Sequence, residues 1–176
     1  MDRYERTYST RYEETKELSH KELAKLIRKE VRIYMQQYNK KYKISVKLSS
    51  YNSIDIYVEF VEIANPYSKG FTNSIIANEN SYMHNDCMHK MYNNEIITII
   101  RDLENIRKAF NYDGSDLQTD YFDARYYGST DFNSRNIYSI IKENPEQYVF
   151  TEEEVETELC SWIDAYRKES EKNSAI

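Results

Sequence analysis

The chain has 176 residues, of which 40% are hydrophobic and 31% charged, and it carries a formal net charge of -6 at pH 7. This length supplies one domain with a single modest core, and the acidity argues against a general binder of the nucleic-acid backbone, because such binding depends on Lys and Arg. Two cysteines are too few for a disulfide framework, no leader opens the chain, and no apolar run approaches the roughly 20 residues that span a bilayer, so we expect a cytoplasmic protein without a membrane partner.

Residues 1–17 are polar and charged without a clear period, so we expect a disordered or loosely docked N-terminal segment. Ser19 and Glu22 then have the spacing of a capping box, which predicts a first helix that continues to about Asn39. Apolar residues recur every three or four positions along it, which predicts one buried stripe. The stripe consists of Leu23, Leu26, Ile27, Val31, Tyr34, Met35 and Tyr38.

The period then changes from 3.6 residues to 2. Apolar and polar residues alternate over residues 42–48 and again over 54–60, with a short turn-forming segment between them. This pattern predicts an antiparallel hairpin whose apolar face packs on the first helix. Residues 62–94 show no sustained period, and we expect an irregular excursion there.

A second helix is predicted from a cap at Asn94, with an apolar face that should make it the most buried helix. That face comprises Ile96, Ile97, Ile99, Ile100, Leu103, Ile106 and Phe110. A turn at residues 113–116 precedes a predicted third strand over residues 119–127, where Tyr and Phe supply β-propensity. A short helix over residues 135–143 should stop before Pro145, and Thr151 with Glu154 should cap a last helix.

The predicted element order is helix, strand, strand, helix, strand, helix. Such an order favours an α+β fold, in which a small antiparallel sheet, the hairpin plus a third strand, packs against about three helices. We expect a single two-layer domain over residues 18–172, because only 3 Gly and 2 Pro are present and no linker composition marks a boundary.

The most distinctive segment covers residues 109–127, which combine four aspartates with six aromatic residues. A core strand does not need carboxylates and a solvated loop does not need rings, so their combination predicts a surface that binds a basic protein partner. Because alternate strand residues face opposite sides, some of these rings should belong to the core. The predicted partner-binding residues are Asp113, Asp116, Asp120, Tyr121, Asp123, Tyr126 and Tyr127.

Positive charge is concentrated in the first third of the chain, which allows a local basic patch on an acidic protein. One interpretation is a nucleic-acid-binding site, and the other is an ordinary solvated helix face. The candidate nucleic-acid-binding residues are Lys25, Arg28, Lys29, Arg32, Lys43 and Lys47.

Metal and catalytic sites find little support in the sequence. His84, Cys87 and His89 lie close together but have no second ligand cluster of the kind zinc sites use. The aspartates of residues 113–123 have oxygen ligands suited to Mg²⁺, but their spacing matches no calcium loop, and Asp113 with Asp116 also fits an Asx turn. We therefore predict no cofactor, no metal and no catalytic residues.

The segments 19–30, 42–47, 54–56 and 111–123 occur in this order and together resemble one of the large polyvalent protein-associated domain families. The resemblance covers roughly residues 18–127. These families occur in phages, plasmids and conjugative elements, both as modules of giant polyproteins and as small free-standing proteins. No catalytic residues come with the resemblance.

What the resemblance implies is a setting, namely mobile DNA that enters a hostile bacterial cell. We therefore expect an anti-CRISPR-like counter-defence protein, a monomer or homodimer in the cytoplasm of the infected cell. It would bind a host nuclease or its guide complex, such as a Cas protein, and block the nucleic-acid channel or a conformational change. The alternative function is a nucleic-acid-binding or metal-dependent nucleic-acid-processing module that uses the basic first helix.

Overall fold

The computed structural model describes residues 7–38, 42–49, 52–60, 65–77, 91–115, 122–133 and 135–174. These residues group into two compact units, one formed by residues 1–63 and 99–133 and the other by residues 64–98 and 134–176. We had expected one domain over residues 18–172, and no Gly-rich or Pro-rich linker in the sequence marks the division.

The fold is mixed α+β, as predicted from the order of periodic segments. The helices described are α1 (Tyr12–Thr15), α2 (His20–Met35), α3 (Lys69–Ile76), α4 (Asn94–Lys108), α5 (Arg135–Glu143) and α6 (Glu152–Ser174). The strands described are β1 (Thr7–Tyr8), β2 (Tyr42–Ser49), β3 (Ser53–Phe60), β4 (Tyr112–Asp113) and β5 (Thr130–Asn133).

The predicted capping box of the first helix is present at the start of α2. Ser19 Oγ accepts from the Glu22 N–H, and the Glu22 carboxylate accepts from the Ser19 N–H at 2.9 Å. These hydrogen bonds from Ser19 hold the pKa of Glu22 below its usual value. Leu23, Ile27 and Val31 of the predicted stripe are buried.

The predicted hairpin is also present. β2 and β3 pair antiparallel with Ile44 opposite Val58 and Val46 opposite Ile56, and Ile54, Ile56 and Val58 of β3 are fully buried. Successive strand residues point to opposite faces. The apolar residues of β2 therefore share the face of the sheet that covers α2, while Lys43 and Lys47 lie on the other face.

The third strand differs from its predicted position. Among the described residues of the predicted segment 119–127, only isolated bridges occur, at Ala124 and Tyr127. The third strand is instead β5, which pairs parallel to β3, so the sheet order is β2-β3-β5 and the sheet is mixed. Tyr and Phe favour strands only where they can pack on a pleated surface, and here the chain turns at Gly128 before it joins the sheet.

The capping residue of helix α4 is one position earlier than predicted. Asn93, and not Asn94, caps the helix, since Asn93 Oδ1 accepts from the Ile96 N–H at 3.0 Å. Within the first unit, Leu103 and Phe110 are fully buried. Tyr34 of α2 donates to Asp102 at 2.8 Å and Thr130 of β5 donates to Glu104 at 2.9 Å, so side chains of α4 are bonded both to α2 and to the sheet.

The second unit contains α3, α5 and α6, and α3 lies within the segment that we expected to be irregular. Its buried residues include Phe71, Ile75, Ile137 and Ile141. The short helix predicted over residues 135–143 is confirmed as α5. The predicted second capping box is present as well, since Thr151 Oγ1 accepts from the Glu154 N–H at 3.3 Å and the Glu154 carboxylate accepts from the Thr151 N–H.

Candidate protein-binding surface

A short two-stranded ribbon lies at the start of the described chain. β1 pairs antiparallel with β4, with Thr7 opposite Asp113 and Tyr8 opposite Tyr112. The Ser9 N–H continues the pairing to Asn111 O at 3.1 Å. We call Thr7–Tyr8 with Tyr112–Asp113 the tyrosine ribbon. Because side chains alternate across a strand, its tyrosines share one face and Thr7 and Asp113 share the other.

Three tyrosine rings pack together on the first of these faces. The ring centroids of Tyr8 and Tyr12 are 4.9 Å apart, those of Tyr12 and Tyr112 5.5 Å, and those of Tyr8 and Tyr112 6.0 Å. These tilted and edge-on arrangements are the ones that aromatic pairs prefer. Tyr8 remains 52% exposed, so the cluster presents ring surface to solvent.

Arg125 fixes α1 against this ribbon. Its guanidinium donates to Thr15 Oγ1 at 3.0 Å and Phe110 O at 2.9 Å, and also to the carbonyl oxygens of Thr15 and Leu18. The guanidinium carbon lies 5.2 Å from the centroid of the Tyr12 ring, a distance suited to a cation–π contact. Arginine supplies five donors in a rigid fork, so one side chain can hold several carbonyl groups at once. The cluster is therefore held in one arrangement.

Two of the predicted carboxylates lie at the turn that follows the ribbon. Asp113 is exposed, and its Oδ1 accepts from the Ser115 N–H at 2.9 Å, which is the Asx-turn arrangement considered for it above. Asp123 is half-buried, and its backbone carbonyl accepts from the Gly114 N–H at 2.7 Å. The structure therefore brings the backbones of Asp113 and Asp123 together.

Tyr126 is a correction to the predicted partner-binding set. Its side chain is fully buried and its hydroxyl donates to the Arg107 carbonyl oxygen, so it belongs to the core and cannot contact a partner. Burial raises the pKa of Tyr126 to about 12, against the opposing effect of the nearby Arg107 and Arg125 charges. The sequence prediction had allowed that some rings of this segment would turn inward.

The neighbouring Tyr127, in contrast to Tyr126, is 43% exposed. Its N–H donates to Asn52 O at 2.7 Å and its carbonyl accepts from the Ile54 N–H at 2.9 Å, so it lies beside the start of β3 and is not part of the ribbon. The remaining predicted partner-binding residues, Asp116, Asp120 and Tyr121, lie outside the described residues.

Arg107, whose carbonyl oxygen accepts from the Tyr126 hydroxyl, also takes part in a buried ion pair. Arg107 is 4% exposed and donates to both carboxylate oxygens of Glu104, which also accepts from Thr130. Burial would raise the pKa of Glu104, but the hydrogen bonds and charge of Arg107, with Thr130 and Lys108, outweigh it and hold the pKa below its usual value. Both carboxylate oxygens of Glu104 therefore have hydrogen-bond donors within the protein, and the ion pair does not require a ligand.

The candidate basic residues do not form one patch. Lys25, Lys29 and Arg32 are exposed on α2, and Arg28 donates to the Val46 carbonyl at 2.6 Å. On the opposite face of the sheet, the Lys43 ammonium lies 3.6 Å from the Glu59 carboxylate. The ammonium of Lys47 lies 4.8 Å from the centroid of the Tyr57 ring. The alternative site therefore divides into a helix group and a sheet group.

Metal binding and membrane insertion have no support in the described part of the chain. No group of three or more His, Cys, Asp or Glu side chains there could hold a metal ion, and none of the helices is both long and apolar enough to cross a bilayer. His84, Cys87 and His89 lie outside the residues that the structure describes.

Comparisons with known proteins add no relative, because no family model, curated protein or solved structure matches the chain. The tyrosine ribbon was missed by sequence reasoning, since Tyr8 and Tyr12 fall in the segment expected to be disordered or loosely docked. No local pattern reveals this ribbon, because β1 has only two residues and its partner strand lies about a hundred positions later in the chain.

Proposed function

We propose that this chain is a non-catalytic inhibitor that inserts its tyrosine ribbon into a basic groove of a host nuclease. In keeping with the resemblance to protein families of mobile elements, the biological role would be counter-defence of the anti-CRISPR kind. The partner would be a nuclease or its guide complex, and the effect would be to block its nucleic-acid channel or its conformational change.

The observation that carries this proposal is the two-faced ribbon. Tyr8 and Tyr112, packed on Tyr12, offer stiff aromatic surface on one face, while Asp113 offers a carboxylate on the other. Tyrosine rings are common anchors of protein interfaces, because they bury a large area at little cost in side-chain entropy. A groove that normally holds nucleic acid is lined with cations, and a carboxylate entering it meets opposite charge.

The overall charge favours the same class of partner. At a net charge of -6 the chain is attracted to a basic surface over several ångströms before contact, which raises the rate of association. Attraction of this kind weakens as ionic strength increases. Binding should therefore be faster at low salt, with the tyrosine contacts maintaining the complex once formed.

The direct experiment is capture of partners from a lysate of a bacterium with an active CRISPR system, together with a plasmid-protection assay in that host. The test variants are Tyr8→Ala and Asp113→Asn, and the second keeps the Asx-turn acceptor while removing its charge. Matched controls are Tyr138→Ala and Asp164→Asn, which alter an exposed ring and an exposed carboxylate of the second unit.

We expect the wild type to capture a nuclease and to protect a targeted plasmid, the ribbon variants to lose both properties, and the control variants to keep them. Capture of no nuclease by the wild type, combined with no protection of the plasmid, would abandon the proposal. Equal losses in the ribbon and control variants would remove the ribbon as the binding surface.

The alternative function, a nucleic-acid-binding or metal-dependent nucleic-acid-processing module, draws support from the exposed cations of α2. Incubation with labelled RNA or DNA, with and without Mg²⁺, separates it from the inhibitor. Cleavage that requires metal and disappears in Asp120→Ala would favour processing. Retention of the labelled strand that weakens in Lys25→Glu would favour binding alone.

A further inference from the structure

We infer that the outer edge of β2 binds an extended, acidic segment of a partner protein as an additional β-strand. This second site uses residues distinct from the tyrosine ribbon and does not depend on the function proposed above. Addition of a strand to an open sheet edge gives affinity through backbone hydrogen bonds and specificity through side chains on the two faces.

The backbone geometry establishes which groups of β2 point outward. The Ile54 and Ile56 N–H groups donate to Tyr127 O and Ser129 O, both at 2.9 Å, so these residues of β3 direct their backbone groups away from β2. In an antiparallel pair, residues directly opposite each other either exchange both hydrogen bonds or neither. Leu48 and Val46, which lie opposite Ile54 and Ile56, therefore direct their N–H and C=O groups to the open edge. Ile44 continues the same alternation.

Arg28 confirms this direction for one of the carbonyl groups, since its Nη2 donates to Val46 O at 2.6 Å from the helix side. The sheet order places β2 at the edge, and in the part of the chain that is described no other strand pairs with it. A carbonyl oxygen accepts up to two hydrogen bonds. Arg28 and an incoming N–H can therefore share the Val46 carbonyl.

A groove runs beside this edge on the helix side and has a volume of about 420 Å³. Val31, Met35 and Ile44 supply apolar lining, and Arg28 and Arg32 supply two guanidinium groups. Guanidinium binds carboxylate with two parallel charge-assisted hydrogen bonds. The groove can therefore hold an apolar side chain of the added strand and bind an acidic one beside it.

Charge identifies the occupant. On the other face of the sheet, Lys47 lies beside the same edge with its ammonium over the Tyr57 ring, whereas Lys43 lies 3.6 Å from the Glu59 carboxylate. Arg28 and Arg32 in the groove, together with Lys47, make this edge locally basic although the whole chain is acidic. A second copy paired antiparallel through β2, in a register centred on Ser45, would place Lys43 opposite Lys47 of its mate. Like charges directly opposite each other destabilise a strand pair, and edge lysines are a known defence against self-pairing. An acidic strand instead meets the guanidinium groups of Arg28 and Arg32 on the helix side and the ammonium of Lys47 on the other face.

The test uses a fluorescent, end-capped peptide of Glu-Glu-Val-Val repeats about as long as β2, which has 8 residues. This repeat places glutamate on both faces of an extended strand. We expect the full chain to bind it in an anisotropy titration, and Arg32→Glu to weaken binding by about tenfold or more, because a charge-assisted contact becomes a repulsion. Lys29→Glu makes the same change of charge on α2 outside the groove and should alter affinity by less than about twofold.

Two further measurements test the backbone contact itself. The same peptide N-methylated at each valine loses donors on both edges and should no longer bind. Ile44→Pro removes an outward N–H without removing a bond to β3, so it should weaken binding while the unfolding midpoint shows whether the chain is folded. If that variant does not fold, the methylated peptide and the Arg32 and Lys29 pair still decide the question.

Several results would overturn the inference. They are no binding of the peptide, equal binding of the methylated peptide, or equal losses in Arg32→Glu and Lys29→Glu. Tighter binding of a single-stranded DNA oligonucleotide, lost in Arg32→Glu, would reassign the groove to nucleic acid. A dimer detected by sedimentation and abolished by Ile44→Pro, without peptide binding, would reassign the edge to self-association.

Discussion

Arg125 donates a hydrogen bond from Nη1 to Thr15 Oγ1 at 3.0 Å, across 110 positions of the chain. The same guanidinium contacts three carbonyl oxygens and stacks on Tyr12, so a single side chain joins the segment after β4 to the N-terminal helix. Two short elements, β1 and α1, thereby gain a defined position that their own length could not supply, since isolated short helices are marginal in water.

Loss of this guanidinium should destabilise the protein and release the tyrosine cluster. For Arg125→Ala we expect a loss of about 2–4 kcal/mol in the free energy of unfolding, because several carbonyl groups lose their donor. Urea unfolding measures the loss, and tyrosine NMR linewidths report on Tyr8 and Tyr12. Arg167→Gln on exposed α6 serves as the control, and an Arg125→Ala variant as stable as that control would contradict the role given to Arg125.

Gly128 should not tolerate a side chain. Its φ of 138° lies in a region that side-chain-bearing residues rarely adopt, and a Cβ there would overlap the Ile54 carbonyl. For Gly128→Ala we expect a loss of about 3 kcal/mol or more, because strain and steric overlap add. Thermal unfolding gives the shift.

Gly70 offers the matched control for that experiment, since it lies within α3 and a Cβ there would be 3.4 Å from Val155 Cγ1. Alanine is favoured over glycine in helices by about 0.5–1 kcal/mol, so Gly70→Ala should be neutral or slightly stabilising. Equal effects at the two glycines would show that the turn at Gly128 is not constrained as described.

The lowered pKa of Glu104 predicts how the stability of the protein depends on pH under acidic conditions. A carboxylate whose pKa is lower in the folded than in the unfolded state adds stability above its unfolded value, here 4.5. That contribution should disappear as pH falls below 4.5 through the folded pKa. Glu104→Gln should therefore cost stability at neutral pH and flatten the acid limb of the stability curve. Glu156→Gln, an exposed change on α6, should leave that limb unchanged, and a full acid limb in Glu104→Gln would refute the assignment.

Tyr126 can be tested through its hydroxyl alone. Tyr126→Phe keeps the buried ring but leaves the Arg107 carbonyl without this donor, so we expect a loss of about 1–2 kcal/mol in the free energy of unfolding. In the wild type, ultraviolet titration should show a tyrosine that ionises only near pH 12. If the titration curves of the wild type and of Tyr126→Phe do not differ by one such tyrosine, the burial of this ring would be contradicted.

Local chemistry explains which elements could be predicted from sequence. Both capping boxes, at Ser19 and Thr151, depend on contacts within four residues, and the hairpin depends on alternation within each strand. The cap of α4 was predicted one position too late, at Asn94 and not at Asn93. The two asparagines are adjacent, and the side chain of either can accept a hydrogen bond from a backbone N–H of the first turn.

Distant pairing explains what could not be predicted. β5 has four residues and pairs parallel to β3 across a long crossover, so nothing in its own pattern reveals its partner. β1 has two residues and depends on β4 and Arg125. The opposite exposure of Tyr126 and Tyr127 likewise accompanies contacts with distant parts of the chain, since Tyr126 bonds to Arg107 and Tyr127 to Asn52.

The pairing of β1 with β4 also constrains folding during synthesis. Thr7 and Tyr8 are synthesised roughly a hundred residues before Tyr112 and Asp113. Until then the first tyrosines have no strand to join, and this part of the fold is completed late, as is usual for contacts distant along the chain. A nascent chain stalled before residue 112 would expose those rings to chaperones and proteases, whatever the stability of the finished molecule.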